Sequence, residues 1–146
     1  MTKVTTSIEI DAPPQAVWDI VMNPKRLGDW VTIHRGLGKH GPDHMEQTLC
    51  LRGVNFHVKW DLAESKKPKL AVWEGRGPAH SKAHTLYRLS EVDGDRTRFD
   101  YENEFALPGG VLGKAAGGLL SAAPGSREAR KTLERLRSLL EGSPGD

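Results

Sequence analysis

The chain has 146 residues, a length that suits one domain able to fold without disulfides or metal. Its 21 basic and 19 acidic residues nearly cancel, for a net charge of +2, so nothing suggests the concentrated basic face of a nucleic-acid binder. One cysteine, Cys50, excludes an internal disulfide and suits a reducing cytoplasm, and no apolar run approaches the ~20 residues of a membrane helix.

The opening MTKVTTSIEI has no signal-like apolar run, and KVTTSIEI alternates as Val4, Thr6, Ile8 and Ile10, which predicts a strand. In APPQAVWDIVMN, Pro13 and Pro14 suit a first helical turn, and Val17, Trp18, Ile20 and Val21 form an apolar stripe. Asn23-Pro24 stops that helix, and PKRLGDW predicts a second short helix or turn. From residue 30 the period becomes two. VTIHRGL predicts a strand with Val31, Ile33, Arg35 and Leu37 inward, and Thr32, His34 and Gly36 outward. MEQTLCLRG pairs Leu49 with Leu51. VNFHVKWDL places Val54, Phe56, Val58, Trp60 and Leu62 on one face. KLAVWEG reads as a more apolar strand, and SKAHTLYRLSEV aligns Ala83, Thr85, Tyr87 and Leu89. Asp93-Gly94 tolerates positive φ and predicts a hairpin into TRFDYENEF, with Phe99, Tyr101, Asn103 and Phe105 inward. Pro108-Gly109-Gly110 ends the sheet. A helical region follows, with Ala129, Leu133, Leu136 and Leu140 on one face. Residues 1–141 read as one domain and 142–146 as a disordered tail.

The fold class expected is α+β: a curved antiparallel sheet of six to seven strands gripping a long C-terminal helix, with two short helices after the first strand. An apolar sheet face must be covered, and the last helix is the element long enough to cover it. Pro124 predicts a kink near residues 120–126, because proline loses a backbone hydrogen bond and clashes one turn back. A kinked first half, with the 38–44 loop, would form a cavity mouth.

The sequence marks no catalytic residue. It has no GxSxG, P-loop, dinucleotide fingerprint or HExxH. His34, His40, His44, His57, His80 and His84 lack the close spacing a zinc site needs, so neither metal nor other cofactor is expected. His34 is a candidate base near neutral pH, but no orienting carboxylate accompanies it. The inward aromatic set carries more weight. Opposite it stands GGVLGKAAGGLLSAAPG, whose small side chains fill little volume. Interiors are close-packed, so the missing volume is supplied by sheet collapse or by a ligand. The ligand-binding candidates are Trp30, Ile33, Arg35, Phe56, Trp60, Trp73, Tyr87, Phe99, Tyr101, Asn103, Phe105 and Leu112. Gln47 and Thr85 join them as inward polar residues. Arg35 could pair with a ligand carboxylate or enolate, or lie solvated at the rim.

VTTSIEIDAPPQAVWDIVMNPKRLGDW, the WEG at 73–75, LYRLSEVDGDRTRFDYENEFALPGG and the closing TLERLRSLLEG together resemble the START-related, birch-pollen-allergen-like superfamily, SRPBCC. The likeness is to its bacterial polyketide cyclase/dehydrase and lipid transport branch, and it covers nearly the whole chain. It implies a helix-grip fold and an internal cavity for a small hydrophobic ligand such as a lipid or polyketide, held as a carrier or sensor. An aromatase/cyclase using the cavity as a template is the first alternative. WVTIH, VKW and PGGVLG also resemble small actinobacterial members described as the toxin of a toxin–antitoxin pair. That second alternative implies a protein partner or homodimer. No nucleic-acid partner and no membrane span are expected.

Overall fold

The computed structural model describes residues 2–51, 53–106 and 126–142. Strand β1 (Thr2–Ile10) leads into helix α1 (Pro14–Val21), a 3-10 turn (Pro24–Arg26) and the one-turn helix α2 (Leu27–Trp30). Six strands follow: β2 (His34–His40), β3 (His44–Leu51), β4 (Val54–Lys66), β5 (Leu70–Arg76), β6 (Lys82–Val92) and β7 (Arg96–Ala106). Helix α3 (Ser126–Glu141) comes last. The seven strands form one curved antiparallel sheet in the order β1-β7-β6-β5-β4-β3-β2. The chain returns to the start of the sheet only through β7, so β1 and β2 are its two edges.

Local chemistry explains the elements. Pro14 occupies the first turn of α1, where its missing N–H costs nothing, and Val17, Trp18 and Val21 are buried beneath it. Asp93 and Gly94 hold φ of 50° and 79°, the positive values an Asp-Gly turn accommodates. In α3, Ala129, Leu133 and Leu136 are buried and Leu140 is half-buried, as the helical spacing requires. Thr132 is buried on that same face, and its hydroxyl oxygen accepts the Thr32 N–H at 3.2 Å and shares a hydrogen bond with the Thr32 hydroxyl at 3.1 Å. At the other end, Asp11 N–H donates to Glu141 Oε2 at 2.6 Å. Helix α3 thus lies against β1 and α2. Pro124 and the expected kink lie outside the described residues.

One expected element begins elsewhere. VTIHRGL is not one alternating strand: Trp30 closes α2, Val31 caps it, and β2 starts at His34. The phase then breaks. His34 pairs with Leu49, but Gly36 pairs with Thr48, so two steps along β2 match one along β3. Arg35 is the extra residue of a β-bulge. Opposed residues share a face, so His34 stands with buried Leu49, and Leu37, paired with buried Gln47, points the same way. His34 is therefore inward and half-buried, and Arg35 is exposed.

Candidate functional site

The curved face of the sheet and helix α2 line a partly open cavity with a volume of about 30 Å³. Its apolar lining comes from Leu27 and Val31 around α2, Ile33 before β2, Met45 and Leu49 on β3, and Trp60 and Trp73 on β4 and β5. Among the described residues its polar lining is uncharged: Gln47, Thr85, Tyr87, Tyr101 and Asn103.

Two hydrogen-bonded threads organise these groups. In the first, Trp60 Nε1–H donates to Gln47 Oε1 at 2.9 Å. An indole nitrogen can only donate, so this contact orients the amide. Gln47 Nε2 then donates to His34 Nδ1, also at 2.9 Å. His34 must accept there, so its proton sits on Nε2 and the ring is neutral. Burial, followed by the neighbouring Arg35 charge, lowers its pKa from 6.5. Thus His34, expected outward, belongs to the cavity wall's supporting network.

The second thread crosses β6 and β7. Thr85 pairs with Asn103 across the strands and donates its hydroxyl proton to Asn103 Oδ1 at 2.7 Å. Asn103 Nδ2 donates to Tyr101 Oη, two residues back on the same face, at 2.5 Å. Burial pushes the Tyr101 pKa up to about 12, outweighing the opposing effect of Asn103. Burial, and then Tyr101, raises Tyr87 well above 10.0. Both phenols are therefore protonated at neutral pH.

Gly75 makes room for the first thread. It pairs with Trp60 across β4 and β5, and a Cβ there would lie 2.8 Å from Trp60 Cε3 and 2.9 Å from Val58 Cγ1. The glycine of the WEG stretch is thus the floor on which the Trp60 ring rests.

Of the residues singled out in the sequence, Ile33, Trp60, Trp73, Tyr87, Tyr101 and Asn103 line the cavity together. Trp30 and Phe99 are fully buried and pack with Tyr87 and Tyr101 as an aromatic cluster supporting it. Phe56 is half-buried on a broader open groove that it shares with Leu37, Gln47 and Val58. Arg35 does not face the cavity. It is exposed, and its guanidinium donates to the carbonyls of Thr32 and His34 at 2.9 and 3.0 Å. The bulge explains that correction. The Phe105 side chain and Leu112 lie outside the described residues. Leu27, Met45 and Leu49 were not singled out as ligand contacts, although the period-two pattern placed Leu49 on an apolar face. Among the described residues, no group of three or more His, Cys, Asp or Glu side chains is arranged to hold a metal. No described helix is long and apolar enough to cross a membrane.

Comparison with known proteins agrees with this architecture. An aromatase/cyclase from Streptomyces sp. R1128 superposes with a TM-score of 0.73 at 16% identity, covering 96% of this chain and 93% of that one. A START superfamily protein from Mycobacterium smegmatis gives 0.68 at 15% identity, with 95% and 97% covered. At such identities the likeness concerns the fold. A Mycobacterium tuberculosis protein named as a toxin is 23% identical over 107 residues, which span 68% of this chain and 74% of that protein. Residues 1–141 match the family described as polyketide cyclase / dehydrase and lipid transport, and the chain belongs to that family.

Proposed function

We propose that the protein binds a small hydrophobic ligand of lipid or polyketide type in the cavity between the sheet and its helices, as a carrier or sensor. The observation that carries this reading is the cavity wall itself. An apolar concave surface with a few convergent uncharged polar groups is the usual composition of a small-molecule site. A volume of about 30 Å³ admits a group of about water size, so a larger ligand requires the wall to part. Gln47 lines both the cavity and the broad outer groove, which makes it the shared wall between them. The free thiol of Cys50 suits work in the cytoplasm.

Native mass spectrometry of protein purified from its own host, followed by denaturing extraction, tests the reading. A co-purifying lipid or polyketide supports it. A clean apo mass, with no thermal shift across lipid and polyphenol panels, overturns it.

The toxin-named relative supports a second reading, an interaction module with a protein partner. Growth arrest on expression, relieved by the product of a neighbouring small gene, would establish that reading instead.

A further inference from the structure

The hydrogen-bonding capacity of the cavity is unbalanced, and the imbalance describes a ligand. Trp73 is 3% exposed and lines the cavity, yet among the described residues its Nε1–H has no hydrogen-bond partner. A buried donor left unpaired costs roughly 1–3 kcal/mol, so such groups are rare without a role. Tyr101 Oη accepts from Asn103 and keeps its own proton to give. Among the described lining residues, the two side-chain carbonyl oxygens each already accept one hydrogen bond: Gln47 Oε1 from Trp60 and Asn103 Oδ1 from Thr85. Trp73, Thr85 and Asn103 are successive cross-strand partners in one row, and Tyr101 lies on the same face two residues from Asn103. The donors to spare therefore lie on one wall, Trp73 on β5 and Tyr101 on β7, with β6 between them. Among the described lining residues there is no Lys, Arg, Asp or Glu. An anion entering this wall would lose its hydration without gaining a cation.

We infer that the cavity selects a neutral ligand through a carbonyl oxygen, seated on the Trp73 indole N–H and Tyr101 hydroxyl, and rejects the corresponding carboxylate. The inference rests on the ligand-binding reading above and specifies the chemical class. Trp30 also has an indole N–H with no partner among the described residues, but it is packed among the rings of Tyr87, Phe99 and Tyr101 and is not among the lining residues of the cavity.

The test uses the full chain and three probes of one shape: acetonaphthone, naphthoate and methylnaphthalene. Calorimetry gives affinities, and nitrogen-labelled protein gives the indole N–H resonances, with Trp73→Phe identifying that of Trp73. The expected result is acetonaphthone binding at least roughly tenfold tighter than naphthoate, with a downfield shift of the Trp73 N–H signal. Trp73→Phe should weaken acetonaphthone roughly five- to tenfold, the worth of about one hydrogen bond, and leave methylnaphthalene unchanged. Tyr101→Phe gives the same comparison if Trp73→Phe does not fold. Naphthoate binding as tightly as the ketone, or a ketone affinity indifferent to both substitutions, overturns the inference while leaving hydrophobic binding intact. Failure of all three probes to bind overturns the ligand reading and this inference with it.

Discussion

The indole N–H of Trp60 meets Gln47 Oε1 at 2.9 Å, and this contact determines the protonation state of His34 on the far side of the amide. The chain Trp60–Gln47–His34 runs in one direction because an indole cannot accept. Gln47 is 5% exposed, so its polar atoms must be satisfied within the wall. Replacing Gln47 with Leu strands the Trp60 donor. The expected loss is about 1–3 kcal/mol of unfolding free energy, read by denaturant melts. A Gln47→Leu protein as stable as the wild type would show that the thread contributes nothing.

His34 makes stability depend on pH. Its folded pKa lies below the ordinary 6.5, so the unfolded chain takes up the proton more readily. Stability is full above pH 6.5, falls as the pH drops through that value, and levels off below the folded pKa. His34→Asn should remove this step. Gln47→Glu should reverse it, because a carboxylate beside His34 favours the imidazolium. Unfolding free energies of the three proteins across mildly acidic pH test the sign.

The chain contains two tyrosines, Tyr87 and Tyr101, and both are buried. Phenolate absorbance therefore reports on the cavity alone. In the folded protein it should rise only beyond the ordinary 10.0, with Tyr101 ionising near about 12. The unfolded chain loses these protons first, so stability should decline as the pH climbs above 10.0. A tyrosine titrating at its ordinary value in folded protein would contradict the buried wall.

Gly75→Ala tests the floor beneath Trp60. The added methyl meets the indole at 2.8 Å, closer than atoms in contact can sit. The Trp60 ring must shift and its hydrogen bond to Gln47 must lengthen. Overpacking of this kind costs roughly 1–3 kcal/mol, measurable as a lowered melting temperature. An unchanged melting temperature would mean that the sheet relaxes freely here.

Thr132→Val tests how α3 is held to the end of α2. The substitution keeps the side-chain shape and removes the oxygen that pairs with the Thr32 N–H and hydroxyl. A loss of about 1–2 kcal/mol is expected, with ligand binding in the cavity preserved where α3 stays docked.

Much of this architecture is visible in the residue pattern. On β6, Ala83, Thr85, Tyr87 and Leu89 alternate without interruption, and all four are buried. There the strand stays in register with both neighbours, so period two translates directly into faces. The helix stripe at Ala129, Leu133 and Leu136 is equally legible, because spacing along a helix determines which side chains share a face. Across β2 the same reasoning inverts His34 and Arg35. A bulge depends on how two strands meet, and a single strand's alternation carries no mark of it.

The element order, the aromatic face and the uncharged polar residues Thr85, Tyr101 and Asn103 are therefore legible from local period and residue type alone. The joining of Trp60 to His34 through Gln47, the exposure of Arg35, and the absence of a partner for the Trp73 indole N–H among the described residues emerge from the packed fold. Each of those depends on contacts between strands, and a hydrogen bond between residues 13 apart is set by register and packing.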